Sequence, residues 1–362
     1  MLVDSSLSVI IPAYQAEKTI ARAIKSVLTI DVDSLEVIVV NDGSTDSTSE
    51  MVRSIVSFDK RVNLIEQSNS GRSVARDVGF RAATGDWIMF VDADDFLLPD
   101  VSSAVQQGLN SGSEIVLFPF VHSFSQIGTN RYFGDKRALR AVSALSFGDL
   151  REACLNFNFD CVPYSNEYQF NAVWSRLYRR DLLLEFSLKS PWNKLLFPAG
   201  IKFSEDRLFN IALLSVFPGG TVSLSDTPLY CWDLDASGTT GIFRETDVAR
   251  LVDYSLAINQ LITANFLSQS EGNRVLAAEI SNQFKRFVRL NDVFASKFQD
   301  LWIDALAALE TNPKLSDFPS AVLGPFQILI PSILLLLKGR IKCAYWLEKA
   351  VFNLQKLISS QF

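Results

Sequence analysis

A succession of short apolar runs, each ending abruptly and followed by helical spacing, restricts what the first third of this chain can fold into. The runs are Leu7-Ser8-Val9-Ile10-Ile11, Glu36-Val37-Ile38-Val39-Val40, Val62-Asn63-Leu64-Ile65, Trp87-Ile88-Met89-Phe90-Val91 and Ile115-Val116-Leu117-Phe118. Continuous apolar character over such lengths is what a strand buried on both faces requires. Between them lie helical patterns. Ile20, Ile24, Val27 and Leu28 share one face, Ser47 precedes Glu50 at capping-box spacing, and residues 73–83 and 102–109 complete the set. Strands alternating with helices across short turns give βαβ units and a mostly parallel sheet. Such a sheet carries its ligands at the carboxyl ends of the strands.

Three of those ends are chemically unusual. Pro12-Ala13-Tyr14 closes the first run, Asn41-Asp42-Gly43-Ser44 the second, and Asp92-Ala93-Asp94-Asp95 the fourth. Carboxylates held together repel unless a cation lies among them, and a hard divalent ion with oxygen ligands resolves the repulsion. The alternative is a polar turn in which Asp92 or Asp95 caps a helix near Pro99.

Several functional classes are excluded by what is missing. No G-x-G-x-x-G follows the first strand, and neither a phosphate-binding G-x-x-x-x-G-K-[ST] loop nor a G-x-S-x-G elbow occurs. The net charge of −6 offers no general attraction to nucleic acid. The 4 cysteines form no C-x-x-C pair, which argues against structural zinc and fits a reducing, cytoplasmic compartment. The lone His122 reads as a surface or strand-end residue rather than a general base. The start Met1-Leu2-Val3-Asp4 lacks the basic character of a secretory leader.

Past Val121 the pattern loosens. A helical piece is expected near residues 146–155, a helix or helix-plus-turn over residues 173–184, an amphipathic helix over residues 208–216, and short strands at Val222-Ser223-Leu224 and Leu229-Tyr230-Cys231-Trp232. Trp232 either fills the core or offers its ring face to a ligand. Residues 237–241 read as a flexible loop able to close over a ligand, and residues 247–309 as helical.

The strand-end residues, taken with their flanks, resemble the family-2 glycosyltransferases. The blocks are Ser8-Val9-Ile10-Ile11-Pro12-Ala13-Tyr14, Val39-Val40-Asn41-Asp42-Gly43-Ser44-Thr45-Asp46, Asn69-Ser70-Gly71-Arg72-Ser73-Val74-Ala75-Arg76-Asp77-Val78-Gly79 and Gly85-Asp86-Trp87-Ile88-Met89-Phe90-Val91-Asp92-Ala93-Asp94-Asp95. They stand in the family's order over about the first 120 residues. A looser likeness continues in Val173-Trp174-Ser175-Arg176-Leu177-Tyr178 and in Phe203-Ser204-Glu205-Asp206. Ser175-Arg176 departs from the lysine many relatives carry there.

The resemblance implies a GT-A fold: an α/β, Rossmann-like, mostly parallel sheet flanked by helices, here with a helical C-terminal extension. It implies inverting transfer from a nucleotide-diphosphate sugar, with a UDP-sugar expected, to a hydroxyl of a surface polysaccharide or glycolipid. Pro12, Ala13 and Tyr14 would border the nucleobase and Asp42 would hydrogen-bond it. Asp92 and Ala93 would contact the nucleotide, and Asp94 would ligate Mn²⁺ or Mg²⁺. Asp206 would be the general base. Arg72 and Arg76, one helical turn apart, either reach the diphosphate or pair with Asp77 and Asp86. The rival readings are a nucleotidyltransferase and a non-catalytic nucleotide-sugar-binding scaffold on the same fold.

At 362 residues the chain accommodates two domains. The expected division is a catalytic domain over residues 1–245, with nucleotide-sugar binding in 1–120 and acceptor binding in 121–245, and a helical region over 246–362. Residues 318–337 carry no charged side chain but do contain Pro319, Pro325 and Pro331, and Lys338, Arg340 and Lys342 follow. This segment lies on an anionic cytoplasmic membrane face or forms a helical cap on the catalytic domain; a full span is the weaker reading.

Overall fold

The structure is a computed structural model that describes residues 6–123, 144–155, 168–233 and 245–290. Packing divides the chain into two compact units, one of residues 1–154 and 158–238 and the other of residues 155–157 and 239–362.

In the first unit, β1 (Ser6–Ala13) is the centre of the parallel sheet. It is flanked by β2 (Ser34–Asp42) on one side and β4 (Trp87–Phe90) on the other, with β3 (Val62–Gln67) outside β2. Ile10 pairs with Ile38 and with Phe90, and all three are essentially inaccessible. Their uninterrupted apolar character is thus explained by burial on both faces. Pairing with β4 stops at Ile10, but β1 runs on against β2 through Pro12 and Ala13, so the proline ends one ladder and not the strand.

Between them run α1 (Ile20–Val27), α2 (Thr48–Phe58) and α3 (Arg72–Ala82), followed by α4 (Ser102–Leu109). The capping-box expectation for α2 fails. Ser47 is the N-cap but its side chain makes no cap bond. Asp46 does the work instead, its Oδ1 accepting from the Thr48 N–H at 3.1 Å and the Thr48 hydroxyl at 2.5 Å.

The second half of the sheet is mixed. After β5 (Phe96–Leu97), β6 (Ile115–Leu117), β7 (Phe120–Ser123), β8 (Ala144–Ser146) and α5 (Phe147–Leu155), the chain inserts β9 (Arg176–Arg179) antiparallel between β4 and β6. The helix expected over residues 173–184 is therefore a strand followed by α6 (Arg180–Lys189). Ser175 at φ +57° turns the backbone into the sheet, and Arg176, Leu177 and Tyr178 are all buried there.

Next comes α7 (Glu205–Val216). It was expected to be amphipathic, yet residues from Arg207 through Leu214 are buried all round it, because it sits inside the domain rather than on its surface. β10 (Thr221–Leu224) joins β6 in parallel and β8 in antiparallel register. The eight-stranded order is β3-β2-β1-β4-β9-β6-β10-β8. A second sheet forms from β5, β7 and β11 (Tyr230–Asp233), with β11 in the middle.

In the second unit, α8 (Glu245–Thr263) and α9 (Gln269–Leu290) pack together. Gly272 lets them approach, since a Cβ there would stand 2.6 Å from Ile262 Cδ1. No helix among the described residues is long and apolar enough to cross a membrane. Residues 237–241 and 318–337, together with the helical expectation beyond residue 290, lie outside the described residues.

Candidate active site

The parallel strands β1 to β4 deliver Tyr14, Asp42 and Asp92 to one edge of the sheet. Gln15 and Ser44 tie the first two loops together. The Gln15 N–H donates to Ser44 Oγ at 3.0 Å, and Gln15 Oε1 accepts from the Thr45 N–H at 2.7 Å. Pro12 and Ala13 are buried behind Tyr14, which is 54% exposed.

Asp42 is 3% exposed and fully engaged. Its Oδ1 accepts from Gln67 Nε2 at 2.7 Å and the Ser70 N–H at 2.8 Å, and its Oδ2 from the Gly71 N–H at 2.9 Å. It thereby fixes the turn that opens α3. Gly43 and Gly71 at φ +72° and +90° let the backbone make those contacts, and a Cβ on Gly43 would fall 2.7 Å from the Asn69 nitrogen.

The turn after β4 is held from beneath by β11. Tyr230 accepts from the Asp92 N–H at 3.1 Å and donates to Asp95 Oδ2 at 2.6 Å. Asp95 Oδ1 accepts from the Asp233 N–H at 2.9 Å. Arg22 donates to the Asp94 carbonyl at 2.8 Å and pairs with Asp233 at 2.6 Å. Asp95 is thus a scaffold for the turn, anchored to a second sheet rather than capping a helix. Asp92, Asp94 and Asp95 each present a carboxylate oxygen within 4.8 Å of the others.

Across the edge stand the first residues of α7. Glu205 is buried and accepts from Arg72 Nη2 at 2.6 Å. Arg76, wholly inaccessible, donates through Nη1 to Asp206 at 2.6 Å and to Glu205 at 3.2 Å, and through Nη2 to Asp92 at 2.8 Å. Neither arginine pairs with Asp77 or Asp86; Asp77 takes Arg81, and Asp86 accepts from Ser6.

Residues 8–183 match the family described as Glycosyl transferase family 2. That match identifies residues 8–183 as a family-2 glycosyltransferase region. The chain is 31% identical over 238 residues to the uncharacterized glycosyltransferase EpsJ of Bacillus subtilis, covering 65% of this chain and 63% of EpsJ. It is 28% identical over 195 residues to the glycosyltransferase GlyA of Streptococcus pneumoniae, covering 54% of this chain and 25% of GlyA. It therefore spans less than two thirds of either relative. Among solved structures, TarS 1-349 of S. aureus superposes with a TM-score of 0.60 at 21% identity, over 97% of this chain and 92% of that one. That likeness concerns the fold, the GT-A arrangement of a mostly parallel sheet between helices.

The electrostatics of the site divide its carboxylates. Burial and the neighbouring Asp92 raise Asp94 above the ordinary range, and burial with Asp92 and Asp94 pushes Asp95 up to about 8. A cluster so reluctant to ionise together suits a hard divalent cation, which would supply the missing positive charge. Asp92, by contrast, is held low by Arg76 and Arg72 against the cost of burial, and Glu205 is held low by the same pair. Burial raises Asp206 to about 6 despite Arg76, with Glu205 adding to the rise. A carboxyl that titrates near 6 is mostly ionised at neutral pH and can accept a proton there.

The fold brings Asp92, Ala93, Asp94, Arg72 and Asp206 to one place, with Asp42 and Tyr14 at neighbouring strand ends. The sequence reading missed Tyr230, Arg22 and Asp233, the residues that hold the acidic turn. No spacing signal marks a tyrosine that acts across 135 residues. Trp232 is half-buried in an aromatic group with His122 and Trp174, at centroid distances of 5.1 and 5.9 Å.

Proposed function

We propose that this chain is an inverting, metal-assisted glycosyltransferase that moves a sugar from a UDP-sugar to a hydroxyl of a glycan or glycolipid. The observation that carries the reading is the meeting of the Asp92–Asp95 turn with Asp206 across the Arg76 guanidinium. Tyr14 with Pro12 and Ala13 borders the nucleobase. Asp42, which orders the Ser70–Gly71 turn beside it, belongs to the same end of the donor site. Asp92, Ala93 and Arg72 line the nucleotide and diphosphate portion; Arg72, 40% exposed, has the reach.

Asp94 would hold Mn²⁺ or Mg²⁺, with Asp92 and Asp95 beside it. Such an ion, when bound, stabilises the charge that develops on the departing diphosphate. Asp206 removes the proton of the acceptor hydroxyl as its oxygen attacks the anomeric carbon from the face opposite the nucleotide, and the C1–O bond to the diphosphate breaks. Attack from that face inverts the configuration.

The fold likeness to TarS, solved in complex with UDP-GlcNAc, motivates UDP-GlcNAc as the first donor to test. Nucleotide release from a panel of UDP-sugars and GDP-mannose in the presence of Mn²⁺ is the measurement. One donor is expected to give turnover in the wild type and none in Asp94→Ala. Turnover undiminished in Asp94→Ala would remove the metal assignment, and donor binding without turnover under any acceptor would favour the scaffold reading. An acceptor carried on a lipid would make contact with the cytoplasmic membrane face useful, and residues 318–358 are the segment proposed for it.

A further inference from the structure

Arg72 and Arg76 stand one turn apart on α3, yet the structure gives them different work. Arg72 is 40% exposed and, among the described residues, pairs with no carboxylate but Glu205. Arg76 has no exposed surface and meets three carboxylates brought from two distant parts of the chain. Its two terminal nitrogens divide between them: Nη2 takes Asp92 at 2.8 Å, and Nη1 takes Asp206 at 2.6 Å. Phe197 lies over the guanidinium at 5.4 Å. Withdrawing this cation to meet a diphosphate would leave the partly buried Asp92 and Asp206 without their counter-charge and Glu205 with Arg72 alone, which is unfavourable. A planar fork can hold two carboxylates at a fixed separation, whereas an ammonium is a single point of charge.

We propose that Arg76 is a positioning residue, whose guanidinium locks the Asp206 carboxylate to Asp92 and so sets where the acceptor-side base stands relative to the donor turn. The inference rests on Asp206 as the base. The groups facing Asp206 are Arg76 and Arg72 from α3, Asp92 from the turn after β4, Glu205 on its own helix and Tyr178 from β9. Arg76 is the only one of these in hydrogen-bond contact with its carboxylate.

The test is Arg76→Lys in the full chain, assayed by UDP release from UDP-GlcNAc or the panel donor that the wild type turns over fastest. Its thermal midpoint is measured first, so that assays run below it. Lysine keeps the counter-charge but cannot span both carboxylates. The expected result is a KM for donor within about threefold of wild type, with kcat reduced about 10- to 100-fold, the scale of a small misplacement of a reacting group. The acid limb of the kcat profile should also move to higher pH, because the negative neighbours of Asp206 then outweigh a more distant cation. Unchanged kcat and acid limb, or a raised KM at constant kcat, would overturn the proposal.

A crystal structure of the wild-type chain with UDP and Mn²⁺ gives a second readout that needs no variant. Arg76 should still bridge Asp92 and Asp206; an Arg76 swung onto the diphosphate contradicts the positioning role even if Arg76→Lys proves too unstable to assay. Asp206→Asn separates the two layers of inference. If it keeps full transfer, the base assignment fails. If it loses transfer while Arg76→Lys is normal, only the positioning role fails.

Discussion

Asp206 illustrates how much a single position depends on its surroundings. The sequence placed it just ahead of a helix over residues 208–216, whereas α7 already begins at Glu205; its environment was not legible, because Arg76 reaches it from 130 residues away. With its carboxyl raised to about 6 by burial, Asp206 is protonated in acid and could not then serve as the proposed base. We therefore expect log(kcat/KM) to rise with pH, with a slope of about one below pH 6, and to level off above it. A profile that stays flat down to pH 4 would mean that another group takes the proton. Tyr230 offers a different residue-scale test. Tyr230→Phe removes the hydroxyl that serves both Asp95 and the Asp92 N–H, leaving buried polar atoms without a partner. A loss of about 1–3 kcal/mol in urea unfolding is expected, with weaker Mn²⁺ binding by calorimetry. Unaltered metal affinity would show that the second sheet does not hold the turn in its binding form.

At the scale of elements, α3 is the piece on which the site depends most. It packs across β1 and β2 while presenting Arg72 and Arg76 to the strand ends. Gly79 permits that closeness, because a Cβ there would clash with Ile10 and stand 3.3 Å from Val40 Cγ2. Gly79→Ala should lower stability by about 1–3 kcal/mol through overpacking, read as a reduced urea midpoint at unchanged slope. No change in midpoint would mean that α3 shifts without cost. The strands β1, β2 and β4 were legible because burial on both faces leaves an unbroken apolar run. β9 was not. An antiparallel strand carrying Arg176 and Arg179 has no such signature, and Arg176 is buried only because Asn210 and the Gln169 carbonyl accept its donors. The full burial of α7 was likewise hidden, since it arises from tertiary enclosure rather than from helical period.

Among the described residues, the parallel order β3-β2-β1-β4 aligns the carboxyl ends that carry the proposed donor site, and the second sheet holds the turn after β4. That gathering of strand ends followed from the alternation of strands and helices alone. Its closure by β11 did not, because the Tyr230–Asp233 strand pairs with elements more than a hundred residues earlier. For the C-terminal segment, flotation with anionic liposomes compares the full chain with one ending at Asp317. The longer chain alone should float; equal behaviour of the two would remove residues 318–358 as a membrane contact. The central claim is that Asp206 acts on the acceptor and not on the donor. Donor affinity by calorimetry and transfer rate, measured together in Asp206→Asn, test it most directly. The prediction is donor binding within about threefold of wild type with transfer reduced by about 10²–10⁴-fold; transfer at the wild-type rate would contradict it.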